Sequence, residues 1–326
     1  MTILVTGVAG FIGMHVAETL LAGGRKVIGI DNLNPYYDVK LKKDRLNRLD
    51  LYSNFTFYEL DISDRAALYK ALGDHSKISL IVHLAAQAGV RHSLTRPFDY
   101  TAANITGFLT ILELCRQLEN LKHVVYASSS SVYGANTKMP FSVSQTTDSP
   151  LSLYAATKKA NELMAHSYAH LYDIPMTGLR FFTVYGPWGR PDMAYWRFTE
   201  QIMKGKPVHI YNHGDMKRDF TYIDDVVKGI LEVLVNPPEI KEGHVPHRVY
   251  NIGNNRAERL LDFVEIIEKT LGVGAKREFM PMQPGDIKET YADIDPIHRD
   301  VGYEPATSLD EGLPKFVNWY KEYNKG

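Results

Sequence analysis

The segment TILVTGVAGFIG, residues 2–13, decides the fold because an apolar strand runs directly into a glycine-rich turn. Gly7, Gly10 and Gly13 follow at three-residue spacing, and the next residues, MHVAETLLAGG, carry apolar side chains at helical spacing. In such a turn the first glycine permits the bend, the second admits a pyrophosphate, and the third allows close helix–strand contact. We predict a strand–turn–helix unit whose helix begins, at Phe11 and Ile12, against a dinucleotide phosphate.

Similar units continue along the chain. The runs KVIGI, FTFYEL, SLIVHLA and HVVYAS are predicted as strands buried on both faces, and amphipathic stretches such as DRAALYKALG separate them. This alternation predicts an α/β fold, a doubly wound parallel Rossmann sheet. After Arg180, Pro, Gly and aromatic residues become frequent, which is typical of a loop-built ligand site. We therefore predict a nucleotide-binding domain over residues 1–178, a return to it around 218–252, and a smaller mixed α/β substrate domain over 179–326.

The basic insertion NLNPYYDVKLKKDRLNRLDLYSN, residues 32–54, interrupts the pattern. Its charges recur at helical spacing, and we interpret them as a solvated helix face, with a functional patch as the alternative. The formal net charge of -1 gives no indication of a nucleic-acid or anionic-membrane partner. One cysteine, Cys115, fits a reducing compartment, and no window approaches the ~20 apolar residues of a membrane span. We expect a soluble cytoplasmic protein.

The second strand ends at Asp31, where a carboxylate can accept hydrogen bonds from both ribose hydroxyls of NAD and repel the phosphate of NADP. NAD is therefore the expected cofactor. Asp61 and Ile62 follow the third strand and are assigned to the adenine edge. The other positions assigned to the cofactor flank these strand ends: Asn32, Leu84, Ala85 and Ala86.

The stretch YAATK sets Tyr154 and Lys158 four residues apart on a helical segment, so both project from one face. A phenol with an ordinary pKa of about 10 is a poor base at neutral pH. A lysine ammonium and a nicotinamide cation nearby both favour the phenolate. Tyr154 is the candidate base, and Lys158 the candidate for lowering its pKa and for binding the nicotinamide ribose.

Together these residues resemble the extended branch of the short-chain dehydrogenase/reductases, which oxidise a sugar hydroxyl with tightly bound NAD. The segments HLAAQAGVR, LRFFTVYGPWGRPDMA, RDFTYIDD and QPGD are most similar to UDP-glucuronate 4-epimerases. Counted back from Val132-Tyr133-Gly134, the resemblance implies that Ser129 completes a Ser-Tyr-Lys set. It also implies a homodimer whose four-helix bundle uses residues 98–118 and 153–171.

Related dehydratases and decarboxylases carry acids directly after the catalytic Ser/Thr, whereas this chain has Ser130 and Ser131. Neither hydroxyl is a competent base near neutral pH, so a simple oxidation–reduction cycle is favoured. Thr183 stands where neutral-sugar relatives place Asn, and with Ser130 it offers hydroxyls to a sugar carboxylate. Arg91 adds a charge there or pairs with a structural acid; both readings stay open.

The resemblance implies further substrate contacts. Arg218 matches a diphosphate-binding arginine, Arg197 resembles a second nucleotide contact, and Gln283 and Asp286 lie in the QPGD loop. Gln283 replaces an arginine of some neutral-sugar epimerases, which puts a phosphate contact there in doubt. The histidines His166 and His170 have metal-ligand spacing but no adjacent Glu, and we interpret them as packing or surface residues, with no metal expected.

The function expected from these features is reversible 4-epimerisation of UDP-glucuronate to UDP-galacturonate through a 4-keto sugar. UDP-glucuronate decarboxylase and neutral UDP-hexose 4-epimerase are the enzymatic alternatives. A silent NAD-binding regulatory protein is the alternative of another class. An intact set of Ser129, Tyr154 and Lys158 disfavours the last one.

Overall fold

A computed structural model describes residues 1–72, 77–282 and 288–325. The strands, in chain order, are β1 (Thr2–Thr6), β2 (Lys26–Asp31), β3 (Phe55–Glu59), β4 (Ile78–His83), β5 (His123–Ser129), β6 (Met176–Phe181), β7 (Thr183–Tyr185), β8 (Pro207–Ile210), β9 (Lys217–Arg218), β10 (Phe220–Tyr222), β11 (His247–Ile252), β12 (Glu258–Arg259), β13 (Lys276–Phe279) and β14 (Glu289–Thr290).

The helices are α1 (Phe11–Ala22), α2 (Val39–Leu49), α3 (Arg65–Leu72), α4 (His92–Thr95), α5 (Pro97–Tyr100), α6 (Gly107–Cys115), α7 (Leu153–Tyr172), α8 (Ala194–Met203), α9 (Ile223–Leu234), α10 (Leu260–Leu271), α11 (Asp295–Val301) and α12 (Leu309–Tyr323). A π-helical turn (Thr101–Thr106) joins α5 to α6, and short 3-10 turns cover Ser130–Tyr133 and Tyr211–Gly214.

The main sheet is parallel throughout, with strand order β11-β6-β5-β4-β1-β2-β3. The predicted doubly wound Rossmann fold is therefore confirmed. Side chains alternate between its faces: Ile3 and Val5 of β1 join one apolar cluster with α1, whereas Leu4 joins another with α6 and α7. Helices cover both faces, which is why the central strands are almost entirely apolar.

Smaller sheets lie in the second half of the chain. β7 pairs with β10, β8 pairs with β13, and β9 lies between β12 and β14. The return expected around 218–252 contains α9 and β11, and β11 extends the main sheet beside β6. The boundary drawn at 178/179 falls inside β6, Met176–Phe181, so that strand stays in the main sheet to its end.

Two expectations about burial were wrong. β3 forms the edge of the main sheet and is half-exposed, because only β2 pairs with it. The insertion does form a helix, α2, but its charged side chains are not all solvated: Lys42 and Arg45 are buried. The periodic pattern predicted that the polar residues of α2 face solvent, whereas these two side chains bind polar groups beneath the helix.

Candidate active site

A cavity of about 400 Å³ opens at the carboxyl ends of the parallel strands, where doubly wound folds bind their ligands. Its lining includes Gly7 after β1, Asp31 at the end of β2, Leu84 after β4 and Ser129 at the end of β5. All of the residues assigned to the cofactor contribute to this lining: Gly7, Gly10, Phe11, Ile12, Gly13, Asp31, Asn32, Asp61, Ile62, Leu84, Ala85, Ala86 and Lys158.

The glycine turn forms the phosphate end of the cavity. Gly7 has a left-handed backbone, with φ of +71°, and a Cβ there would come within 2.7 Å of the Ala85 nitrogen. A Cβ on Gly13 would come within 2.1 Å of the Gly7 carbonyl oxygen, so the helix can approach the turn only without one. No side chain caps α1 and its first turn holds no acid, which leaves N–H groups and positive potential for an anion. This donor set fits a dinucleotide pyrophosphate.

Asp31 is held rigidly beside that turn. Its carboxylate accepts the Ala9 N–H at 3.1 Å and the Leu33 N–H at 2.9 Å, and the Lys42 ammonium lies 3.9 Å away. Burial raises the pKa of Asp31, while Lys42 and the backbone donors act against that rise. A fixed, buried acceptor suits the vicinal hydroxyls of a ribose.

Tyr154 and Lys158 lie on α7, whose first turn is fixed by the Ser152 hydroxyl accepting the Ala155 N–H at 3.1 Å. Both side chains line the cavity, with Ser129 opposite them at the end of β5. The Ser129 hydroxyl is the hydrogen-bonding neighbour that lowers the pKa of Tyr154. The Lys158 ammonium donates to the Ala127 carbonyl oxygen at 2.9 Å. The structure therefore brings together the three side chains that the sequence indicated.

Burial raises the pKa of Tyr154, and the hydrogen bond with Ser129 and the positive charge of Arg190 oppose that rise. Burial also lowers the pKa of Lys158 to about 8. From the sequence, Lys158 was predicted to stabilise the phenolate, and Arg190 was not predicted to take part. In the structure, Arg190 is the nearby cation whose charge lowers the Tyr154 pKa.

Arg190 lines the cavity from the loop after β7. Its Nη2 and Nε atoms donate to the Asp192 carboxylate at 2.6 and 3.0 Å, and Tyr36 donates to the same carboxylate at 3.2 Å. The Arg190 N–H donates to the Tyr195 hydroxyl oxygen at 2.9 Å. The sequence offered a weak signal for this residue, because an arginine in a Pro/Gly-rich loop can point in any direction.

The four consecutive serines at positions 128–131 do not share one environment. The Ser128 hydroxyl donates to the buried Glu162 carboxylate at 2.6 Å, and Arg180 binds that carboxylate through two further bonds of 2.8 Å. The Ser131 hydroxyl donates to the Ser129 oxygen at 2.9 Å, and the Ser131 N–H donates to it at 3.2 Å. With its oxygen accepting from Ser131, Ser129 keeps its own proton for another partner.

The residues assigned to the substrate are not among the described residues that line the cavity, although two of them directly adjoin lining residues in the chain. Ser130 begins the 3-10 turn, and Thr183 begins β7 between the lining residues Phe182 and Val184. Arg91 is exposed and stacks over the Tyr211 ring at 5.9 Å. The remaining assignments are dispersed: Arg197 is exposed on α8, Arg218 donates from β9 to the carbonyls of Lys217 and Lys288, and Gln283 and Asp286 fall outside the described residues.

His166 and His170 are exposed on α7, and no cluster of three metal-ligand side chains occurs within residues 1–72, 77–282 and 288–325. In the same ranges every helix is too short or too polar to cross a lipid bilayer.

The fold and the cavity define a Rossmann-type enzyme that holds a dinucleotide beside a Ser-Tyr-Lys set. The family model described as the NAD dependent epimerase/dehydratase family matches residues 3–253, and the chain belongs to that family. The resemblance drawn from the sequence is thereby confirmed.

Relatives of known name support the same assignment. The chain is 51% identical to Protein CapI of Staphylococcus aureus, with all of both chains covered. It is 49% identical to UDP-glucuronate 4-epimerase 3 of Arabidopsis thaliana, covering 100% of this chain and 77% of the relative. The crystal structure of UDP-glucuronic acid 4-epimerase from Bacillus cereus in complex with UDP-glucuronic acid and NAD superposes with a TM-score of 0.89 at 36% identity, covering 99% of this chain and 100% of that one.

Proposed function

We propose that this protein is an NAD-dependent 4-epimerase that interconverts UDP-glucuronate and UDP-galacturonate. The observation that carries the proposal is one cavity lined both by the dinucleotide turn and by Ser129, Tyr154 and Lys158. Serines, not acids, follow Ser129 at positions 130 and 131, so the site lacks the acid that elimination chemistry needs there. The named relatives that act on UDP-glucuronate support the choice of substrate.

Bound NAD would supply reversible hydride chemistry at C4 of the sugar, and the chain would supply the rest. Tyr154 accepts the proton of the O4 hydroxyl, while Ser129 hydrogen-bonds that oxygen and holds it against the phenol. Lys158, fixed on Ala127, contributes charge on the cofactor side. The 4-keto sugar then turns over so that the opposite face of C4 would receive the returning hydride, and Tyr154 gives the proton back to O4.

A 4-keto uronate is a β-keto acid and tends to lose CO₂, so the enzyme must restrain its carboxylate. Arg190 is suited to this because a guanidinium keeps its positive charge and carries more than one nitrogen donor. Its Nε and Nη2 bind Asp192, and Nη1 is the nitrogen outside that pair. Ser130 and Thr183 remain candidates for hydroxyl contacts to the same group. A carboxylate held this way keeps the C5–C6 bond out of alignment with the carbonyl π-system.

We also propose a homodimer, in which a second copy covers the apolar face of α5, α6 and α7. Phe98 is 83% exposed and Leu163 58% exposed, and Leu171 lies two helical turns beyond Leu163 on the same helix face. These side chains coincide with the residues 98–118 and 153–171 that the sequence analysis assigned to a four-helix bundle. Sedimentation of wild type and a Leu163→Glu variant tests this: a dimer that becomes a monomer supports it, and a monomeric wild type contradicts it.

The central experiment incubates the purified protein with UDP-glucuronate and follows the sugar by NMR, without added cofactor. UDP-galacturonate as the product supports the proposal, whereas a UDP-4-keto-pentose with CO₂ release indicates a decarboxylase. Turnover of UDP-glucose alone indicates a neutral-sugar epimerase. No turnover of either sugar, with NAD still released on denaturation, indicates a silent binding protein.

A further inference from the structure

Arg45 lies on α2, the helix of the basic insertion, and its side chain is completely buried. Arg48, on the same helix, is 42% exposed and pairs with Glu18 at 2.7 Å. A buried guanidinium is costly unless its donors are satisfied. The bonds of Arg45 therefore indicate what the structure gains from keeping it there.

Within the described part of the chain, the hydrogen bonds of Arg45 go to neutral oxygens on separate segments. Nε and Nη2 donate to the Trp188 carbonyl oxygen at 3.1 and 2.6 Å, and Nη2 also donates to the Gly189 carbonyl oxygen at 3.0 Å. Nη1 donates to the Ala9 carbonyl oxygen at 3.0 Å and to the Tyr37 hydroxyl oxygen at 2.6 Å. The planar guanidinium carries N–H donors on three nitrogens and can therefore reach acceptors on several segments at once. The single ammonium of a lysine cannot do this.

The two segments joined by Arg45 serve opposite ends of the cavity. Ala9 lies in the glycine turn, and its N–H binds the Asp31 carboxylate. Trp188 and Gly189 directly precede Arg190, the cation that acts on Tyr154. Trp188 has φ of +61°, a left-handed backbone that is uncommon for a bulky residue. Its carbonyl receives two of the bonds from Arg45, so the guanidinium holds the loop in this conformation.

We propose that Arg45 is a positioning residue that ties the glycine turn to the Trp188–Arg190 segment and thereby fixes the Arg190 guanidinium in the wall of the cavity that Tyr154 also lines. Arg45 does not line the cavity and is not a catalytic residue. The proposal rests on the proposed function in one respect, namely that Tyr154 is the base. A side chain on the insertion helix would thereby control the electrostatic environment of Tyr154.

Replacing Arg45 with lysine keeps the charge and removes the fork. The Trp188–Gly189 carbonyls then lose most of their donors, and Arg190 moves relative to Tyr154. The other groups that face Tyr154 stay in place: Ser129 on β5, the Tyr100 ring with its centroid 6.0 Å away, and Lys158 one turn along α7. Because the Arg190 charge lowers the Tyr154 pKa, displacing it raises that pKa. The acidic limb of the rate profile then moves to higher pH.

The experiment compares Arg45→Lys with Arg48→Lys, the matched control on the same helix. Arg48 lies over the Trp188 ring at 5.3 Å and does not bind the backbone that precedes Arg190. We expect Arg45→Lys to lower kcat/KM for UDP-glucuronate by roughly 10- to 100-fold and to move the acidic limb of the pH–rate profile to higher pH. Arg48→Lys should keep the wild-type profile, and all proteins should retain NAD.

A double-mutant cycle with Arg190→Lys tests the route of the effect. If Arg45 acts through Arg190, the kcat/KM of the double variant is only slightly lower than that of Arg190→Lys alone. Additive losses, or an unshifted limb in Arg45→Lys, overturn the proposal. If Arg45→Lys does not fold, Arg45→Gln, which keeps an N–H donor group and loses the fork, must shift the limb in the same direction, and an unshifted limb overturns the proposal. If the wild-type protein is inactive on UDP-glucuronate, the proposed function is overturned instead. That result is obtained before any variant is compared.

Discussion

Replacing Ser129 with alanine removes the hydroxyl that the structure sets against Tyr154 at the end of β5. Two contributions are lost, the hydrogen bond that lowers the Tyr154 pKa and the contact expected with the sugar O4. A hydrogen bond to a charged group contributes about 1.5–3 kcal/mol. Losing one such bond in the transition state lowers kcat/KM by roughly 10- to 150-fold.

Ser131→Ala is the graded control, because Ser131 donates to the Ser129 oxygen and does not line the cavity. Removing its hydroxyl costs one neutral hydrogen bond, about 0.5–1.5 kcal/mol, and the Ser131 N–H stays in place. The expected loss in kcat/KM is then roughly two- to tenfold, well short of the Ser129→Ala loss.

The assay is kcat/KM for UDP-glucuronate measured across pH by NMR of the product sugar. Tyr154 works as the phenolate, so activity falls as pH drops through its pKa. Because the Ser129 bond lowers that pKa, its loss should move the acidic limb to higher pH. An unshifted limb in Ser129→Ala, or a larger loss in Ser131→Ala, refutes the assignment of Ser129.

Other predictions concern the base, the cofactor, the carboxylate and the buried ion pair. Tyr154→Phe should lose at least 10²–10⁴-fold in turnover while retaining NAD, measured by product NMR and by nucleotide released on denaturation. Protein purified without added cofactor should release NAD, and Asp31→Ser should gain affinity for NADP in a titration, because Lys42 would then face the phosphate. Thr183→Val should raise CO₂ release and NADH absorbance per epimerisation event, and an unchanged ratio would make Thr183 a packing residue. Glu162→Gln should lower the free energy of unfolding by about 3–5 kcal/mol in denaturant titrations, because the buried Arg180 guanidinium loses its counter-charge.

The sequence was sufficient to predict those parts of the fold and site whose residues are close together in the chain. The strand, glycine turn and helix of residues 2–22 are contiguous, and Asp31 follows directly from the end of the second strand. Tyr154 and Lys158 belong to one helix, so their spacing determines their common face. Each of these predictions needed only periodicity and a glycine or carboxylate at a strand end.

Sequence was insufficient wherever partners come from distant parts of the chain. Arg45 was interpreted with its helix as solvated, because periodicity carries no information on the carbonyls of Trp188 and Gly189, more than 140 residues away. Arg190 was missed for the same reason, since its position beside Tyr154 depends on how one loop packs. The edge position of β3 was hidden as well, because an edge strand and a central strand can have equally apolar sequences.

The site combines two requirements that conflict physically, and its polar contacts show how they are reconciled. A reacting ketone must be shielded from water, so Tyr154 is half-buried in the cavity wall, and desolvation there raises the pKa of the phenol that has to work as a base. Burial likewise lowers the pKa of Lys158 to about 8, so Lys158 loses its positive charge before Arg190 does as the pH rises. Arginine keeps its charge in a desolvated site, and Arg190 lines the same cavity as the phenol. Its loop is held through carbonyls bound by a fully buried arginine, Arg45. A base that is shielded from water thus depends on arginines from distant parts of the chain for its charge, and that dependence gives the insertion helix a part in the chemistry.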